Sequence, residues 1–171
     1  MTTIRPARAA DAPGLAALSI ETWLGTYIRA GLGPVRANYI LREFSSEALL
    51  HAIETEQVLV SEHGIGITGY TRARHGQTAP ITECHGTELV TLYVRPAMQR
   101  QGIGRALLST LVSQAQSQDS LALWLTVNAK NQRAQAFYAA HGFAVAGQTD
   151  FVLDGKRYPN FLLRRDLARA G

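Results

Sequence analysis

The segment Val94-Arg95-Pro96-Ala97-Met98-Gln99-Arg100-Gln101-Gly102-Ile103-Gly104-Arg105-Ala106-Leu107 carries the most informative chemistry in this chain. An apolar stretch leads through a proline turn into two glycines, and the glycines open an amphipathic helical pattern. The first amides of a helix have no intrahelical partners, and bare glycine backbone lets an anion come close. The helix dipole and the flanking Arg100 and Arg105 add positive potential there. The chemistry implied is pyrophosphate binding. Glycines that serve only a tight strand-to-helix turn are the alternative this segment leaves open by itself. Two phosphate loops are excluded, because no Gly-Lys-Ser/Thr follows and Leu107 stands at the third-glycine position of a dinucleotide fingerprint. His51, His63, His75, His85 and His141 lack metal-ligand spacing, so no metal is expected. Cys84 is the only cysteine. It excludes an internal disulfide and reads as a neutral structural thiol.

The elements that must position this segment follow from periodicity and punctuation. Thr2 to Arg8 reads as an opening strand, and Asp11-Ala12-Pro13 starts a helix with proline in its first turn. Leu15, Leu18, Ser19, Thr22, Trp23, Thr26 and Tyr27 keep helical spacing until Gly31 and Gly33-Pro34. A second helical region carries Val35, Tyr39, Ile40 and Phe44, and Ser45 or Ser46 is placed to cap a third short helix. Val58–Glu62 and Ile65–Ala73 read as strands around His63-Gly64. Residues 75–86 read as a loop of functional length. Glu88–Val94 is an apolar strand, and the helix after Gly102 buries Leu107, Leu108, Leu111, Val112 and Ala115 on one face. Leu121–Val127 is a strand, Asn131–His141 a helix stopped by Gly142, and the tail a hairpin around Asp154-Gly155. The summary order is β-α-α-β-β-β-α-β-α-β-β, one mixed α/β domain over residues 1–171.

Composition narrows the classes. The chain has 171 residues, 46% hydrophobic and 18% charged, which suits one folded domain and excludes disorder. No apolar run is long enough to span a bilayer and the N-terminus lacks a secretory pattern, so a cytoplasmic protein without a membrane partner is expected. The net charge of +4 is unevenly placed. Residues 1–87 hold 7 bases and 8 acids, and residues 88–171 hold 10 bases and 5 acids. The excess sits beside the glycine segment and at Lys130 and Arg133. It suits an anionic small molecule, and no basic recognition helix points to nucleic acid.

Gln99-x-x-Gly102-x-Gly104 after an apolar strand resembles the acetyl-CoA pyrophosphate motif of the GNAT superfamily of N-acetyltransferases. A second block agrees: Asn131, Ala134, Phe137, Tyr138, Gly142 and Phe143 stand as N-x-x-A-x-x-F-Y-x-x-x-G-F. The two blocks are in family order, one helix and one strand apart. The resemblance implies a mostly antiparallel twisted sheet of about seven strands, splayed at the acetyl-CoA site, with helices on both faces. It implies an acyltransferase that uses acetyl-CoA as co-substrate. Backbone groups of Leu92, Tyr93 and Val94 would then pair with pantetheine, and Gln99, Arg100, Gln101, Gly102, Ile103, Gly104 and Arg105 would form the pyrophosphate site. Asn131 would bond the pantetheine arm, and Arg133 or Lys130 would reach the 3′-phosphate. Tyr138 would protonate the departing thiolate, and Glu88, 11 positions before Gln99, matches the general-base glutamate of histone-acetylating members.

The resemblance implies an acceptor that is a primary amine of a polyamine-like small molecule or a peptide. The run from Leu18 to Phe44 and Leu121 to Leu125 is loosely similar to bacterial spermidine/spermine acetyltransferases. A polyamine site needs carboxylates, and Glu21, Glu83, Glu88 and Asp150 are the candidates. Asn160, however, stands where those relatives lead one to expect an acid. Trp23, Tyr27, Phe151 and Tyr158 would line an aromatic groove for a less charged amine. A catalytically inactive CoA-binding sensor is the alternative reading, and a homodimer through the tail hairpin is left open.

Overall fold

The computed structural model describes residues 1–64, 66–81 and 83–169. Ile65, where the sequence places the start of a strand, and Thr82 in the central loop lie outside the described residues. The strands are β1 (Thr2–Pro6), β2 (Gln57–His63), β3 (Gly66–Thr78), β4 (His85–Val94), β5 (Ala122–Asn128), β6 (Ala144–Leu153) and β7 (Lys156–Asp166). They form a seven-stranded sheet in the order β1-β2-β3-β4-β5-β7-β6. β1–β2, β2–β3, β5–β7 and β6–β7 are antiparallel. β4 and β5 run parallel, with Thr87 opposite Leu123 and Glu88 opposite Trp124. The mixed, mostly antiparallel α/β architecture expected from the sequence is present.

The helices are α1 (Ala12–Tyr27), α2 (Pro34–Glu43), α3 (Ser46–Thr55), α4 (Ile103–Ser117) and α5 (Gln132–Ala140). The third short helix expected after Ser45 or Ser46 is present as α3, so the order holds one more helix than the summary order. Ser45 divides α2 from α3: its backbone is extended and its hydroxyl accepts the Ala48 amide at 3.1 Å. That bond satisfies one of the first-turn donors of α3.

A second correction concerns residues 75–86. β3 runs on to Thr78 and β4 begins at His85, leaving only 79–84 as connection. The stretch is polar and lacks alternation, so its strand character comes from its partner. His75 Nδ1 lies 2.9 Å from Thr87 Oγ1, Thr78 Oγ1 lies 2.9 Å from His85 Nδ1, and the Ala79 amide donates to the Cys84 carbonyl at 2.8 Å. The tail hairpin turns at Asp154 and Gly155 with φ of 50° and 71°. Both residues are left-handed, as a two-residue hairpin turn requires.

The chain divides into two compact units, Met1–Ala73 with Thr91–Leu111, and Arg74–Val90 with Val112–Gly171. In the first, α1 packs through Leu15, Leu18 and Trp23 against a core that includes Val58, Val60, Tyr70, Phe44 and Leu49. The buried Ser19 hydroxyl is satisfied within that core by the Leu15 carbonyl and the Tyr70 hydroxyl. In the second, Ala79, Cys84, Ala122, Trp124 and Leu162 form a buried cluster. Gly86 belongs there because a β-carbon would run into the Ala122 carbonyl of β5.

Arg5 ties the first unit at its start. Its guanidinium bonds Asp11 at 2.8 and 3.1 Å and Glu62 at 3.0 and 3.3 Å. The hydrogen bonds from Arg5 hold both carboxyls below their ordinary values. Depressed carboxylates stabilise the fold above their unfolded values, here 3.8 for Asp11 and 4.5 for Glu62. That contribution is lost as pH falls through the lower folded values. The melting temperature should therefore drop on acidification through this range, and Arg5→Met should melt lower at neutral pH with a shallower acid drop. Equal acid drops in thermal melts of the two proteins would contradict the role given to Arg5.

Candidate functional site

In the first unit the glycine segment forms the N-terminal approach to α4. β4 ends at Val94, and the Arg95 amide donates to the Thr68 carbonyl at 2.9 Å. Arg95 then pairs with Glu21 of α1 through two contacts, at 2.8 and 3.2 Å. That bond to Arg95 holds the Glu21 carboxyl below its ordinary value. The Gln99 side chain turns back to donate to the Val94 carbonyl at 3.1 Å. Arg100 and Gly102 both have left-handed backbone, with φ of 64° and 80°. A β-carbon on Gly102 would meet nothing within 4 Å, so bare backbone borders open space at the head of the helix. Ile103 is buried and anchors the first turn, while Arg100 and Arg105 are exposed. Ala106 makes the first helical bond, to the Gly102 carbonyl at 3.0 Å. The amides of Ile103, Gly104 and Arg105 precede it and point out of the helix end. Outward donors with two exposed arginines beside them suit an anion such as a pyrophosphate.

β4 changes character just before this loop. Thr87, Leu89 and Thr91 are buried in alternation, but Leu92 and Tyr93 are both half-buried and Val94 is buried. The alternation slips by one residue at Leu92–Tyr93, the stretch expected to face pantetheine. Gly69 on β3 lies against that stretch. A β-carbon there would stand 2.8 Å from the Tyr93 carbonyl, 3.2 Å from Val94 and 3.3 Å from Ile103. Sequence reading passed over Gly69, although a lone glycine inside an apolar strand is the signal of a close backbone approach.

The aromatic candidates separate by unit. Trp23 is buried, with its ring 5.0 Å from Tyr27 and 5.8 Å from Tyr39. Tyr27 is at the exposed end of this stack. Burial pushes the half-buried Tyr39 hydroxyl up to about 12.

In the second unit, Phe151 and Tyr158 face each other across the hairpin at 6.3 Å. Asn131 is the N-cap of α5, its side-chain oxygen accepting the Ala134 amide at 3.1 Å. The resemblance implied that this side chain bonds pantetheine, and capping occupies its oxygen. Gln135 fixes the same turn by donating to the Asn128 and Ala129 carbonyls at 3.1 and 2.9 Å. Lys130 and Arg133 are exposed beside it. Tyr138 is buried, packed edge-on between Phe137 at 5.3 Å and Phe143 at 5.4 Å. Glu88 is half-buried on β4 with Arg74 of β3 at 3.7 Å. This carboxylate on an apolar strand therefore has a cation beside it. Burial pushes the Cys84 thiol up, which suits a structural thiol. Among the described residues no His, Cys, Asp and Glu group could hold a metal.

The model of the acetyltransferase (GNAT) family matches residues 23–143. The chain belongs to the GNAT family of acetyltransferases. An N-acetyltransferase of Mycobacterium tuberculosis is 33% identical over 110 residues, 64% of this chain and 67% of that one. A ribosomal protein bS18-alanine N-acetyltransferase of Escherichia coli is 34% identical over 93 residues, 52% of this chain and 63% of that one. The fold is also that of a PaiA N-acetyltransferase from Thermoplasma acidophilum, solved in complex with coenzyme A. There the TM-score is 0.79 at 22% identity, over 97% of this chain and 99% of that one. Both motif blocks named from the sequence lie inside the matched GNAT region.

The Gly69 approach gives a test. Gly69→Ala must push the end of β4 or the first turn of α4 aside, a strain that typically costs about 1–3 kcal/mol. The variant should melt several degrees lower, and the melting-temperature rise on adding CoA should be smaller than in the parent. An unaltered melt with the full CoA response would show that the approach does not set the loop.

Proposed function

We propose that this GNAT protein transfers the acetyl group of acetyl-CoA directly to a primary amine, and that the acceptor is the α-amine of a peptide or protein rather than a polyamine. The donor half rests on the head of α4. Outward amides at Ile103 to Arg105, left-handed Arg100 and Gly102, and exposed Arg100 and Arg105 suit a pyrophosphate. Backbone at Leu92, Tyr93 and Val94 would hold the pantetheine, Asn131 would donate to it through its side-chain amide, and Arg133 or Lys130 would take the 3′-phosphate. Bound acetyl-CoA supplies an activated acyl carbon and a thiolate leaving group.

One observation carries the acceptor class. Of the four carboxylates open to a polyamine site, three have an arginine partner: Glu21 with Arg95, Glu88 with Arg74, and Asp150 with Arg157 at 3.1 Å. A carboxylate already facing a guanidinium offers little to a polycation. A single amine next to an amide backbone makes no such demand, and Tyr27, Phe151 and Tyr158 would pack against its apolar parts. The likeness to the bS18-alanine enzyme points the same way.

Glu88 is the base in this reading, taking a proton from the ammonium either directly or through water. Tyr138 is the acid, giving its phenolic proton to sulfur as the carbon–sulfur bond breaks. The proton shed by the new amide nitrogen restores the phenol, and one proton leaves overall. Burial among Phe137 and Phe143 fixes the Tyr138 ring, and a fixed donor is what acid catalysis needs.

Tyr138→Phe should lower kcat by roughly 10²-fold or more, the range of a general acid, with little change in acetyl-CoA affinity. Undiminished turnover would remove Tyr138 from the mechanism. Release of CoA thiol across a panel of peptides, spermidine, amino acids and aminoglycosides tests the acceptor. Peptide amines should lead. A clear preference for spermidine would overturn the acceptor class, and no release with any amine would favour a CoA-binding protein without catalysis.

A further inference from the structure

We propose that Arg74 is a positioning residue that keeps Glu88 ionised and aimed, and so sets the lower pH limit of the reaction. The inference rests on the reading of Glu88 as base. Arg74 has no place in either sequence motif. It comes to Glu88 through strand register alone. On the neighbouring rung His75 Nδ1 bonds Thr87 Oγ1 at 2.9 Å, and Thr87 in turn donates to Ser120 at 3.0 Å. That chain holds β3 against β4 with His75 and Thr87 on one face of the sheet. Alternation puts Arg74 and Glu88 on the other face, where Arg74 Nη1 stands 3.7 Å from Glu88 Oε2.

The surroundings make the charge of Arg74 matter. From β5, Trp124 stands in register with Glu88. It is buried, and its indole N–H donates to the Gln77 carbonyl of β3 at 3.2 Å. The carboxylate therefore has a buried, hydrogen-bonded indole in register on β5 and a guanidinium on β3. Of the other charged and titratable groups on these strands, Arg72 of β3 pairs with Glu56 at 2.8 Å, and His75 faces the opposite side, where burial lowers its pKa. His85 of β4 is engaged with Thr78. Beyond β5, Arg164 of β7 pairs with Asp166 at 2.7 Å.

The distance is informative. At 3.7 Å the contact is an ion pair too long for a hydrogen bond. It acts through charge. With side-chain exposures of 44% and 24%, such a pair contributes little to folding stability. Its effect falls on the titration of Glu88, where an opposite charge nearby favours the ionised form. An ionised carboxylate is the form that can accept a proton from the incoming ammonium.

The test is the pH dependence of kcat/KM for a short peptide with a free α-amine, measured at saturating acetyl-CoA for the parent, Arg74→Gln, Arg74→Lys and Glu88→Gln. The acidic limb should move to higher pH by roughly 0.5–1 unit in Arg74→Gln and return toward the parent position in Arg74→Lys. Glu88→Gln should abolish that limb. A limb that stays in place in Arg74→Gln overturns the proposal, and so does a lowered plateau without movement, which is the mark of a merely structural residue. A parental profile in Glu88→Gln has a separate meaning. It removes Glu88 as the base, and the role of Arg74 goes with it.

Discussion

The Tyr93 carbonyl lies so close to Gly69 that a β-carbon there would stand 2.8 Å away, and the end of β4 takes its position from that approach. Everything that follows Tyr93 inherits it. The Arg95 amide is fixed on Thr68, the Arg95 side chain on Glu21, and Gln99 on the Val94 carbonyl. The loop then leads to the left-handed residues Arg100 and Gly102 and to the outward amides of α4. An anion site made of backbone needs this kind of support, because its donors cannot be re-aimed by rotating a side chain.

The charge of the chain acquires a physical meaning from these partnerships. A net +4 is unremarkable as a total. What counts is which arginines are already committed. Arg5, Arg72, Arg95 and Arg157 each face a carboxylate within about 3 Å. Arg100 and Arg105 are exposed beside the head of α4, as are Lys130 and Arg133 beside the head of α5. In the proposed reaction Arg100 and Arg105 flank the pyrophosphate of the co-substrate, and Arg133 or Lys130 takes its 3′-phosphate. The same pairings draw down the carboxylates that a polyamine would require.

Features that depend on neighbours in sequence were legible, and features that depend on register were not. Gly102 and Gly104, the Asp154-Gly155 turn and the apolar face of α4 are each written within a dozen residues, because helix ends and tight turns are local. The extension of β3 to Thr78 was missed, since Arg74 to Thr78 form a strand through bonds to β4 and not through their own alternation. The Arg74–Glu88 contact was hidden for the same reason. The Glu21–Arg95 pair joins residues 74 positions apart, and no periodicity announces it. Asn131 shows the converse. Its motif was seen, but Asn-x-x-Ala is also a helix cap, and the structure shows its oxygen in that role.

The proposed reaction passes the acetyl group straight from acetyl-CoA to the amine. Initial velocities measured with acetyl-CoA and a peptide amine both varied test that claim most directly. Direct transfer predicts intersecting double-reciprocal lines, with both substrates bound before CoA leaves. Parallel lines, accompanied by acetylated protein when acetyl-CoA is added alone, would mean a covalent acetyl-enzyme and would contradict the account.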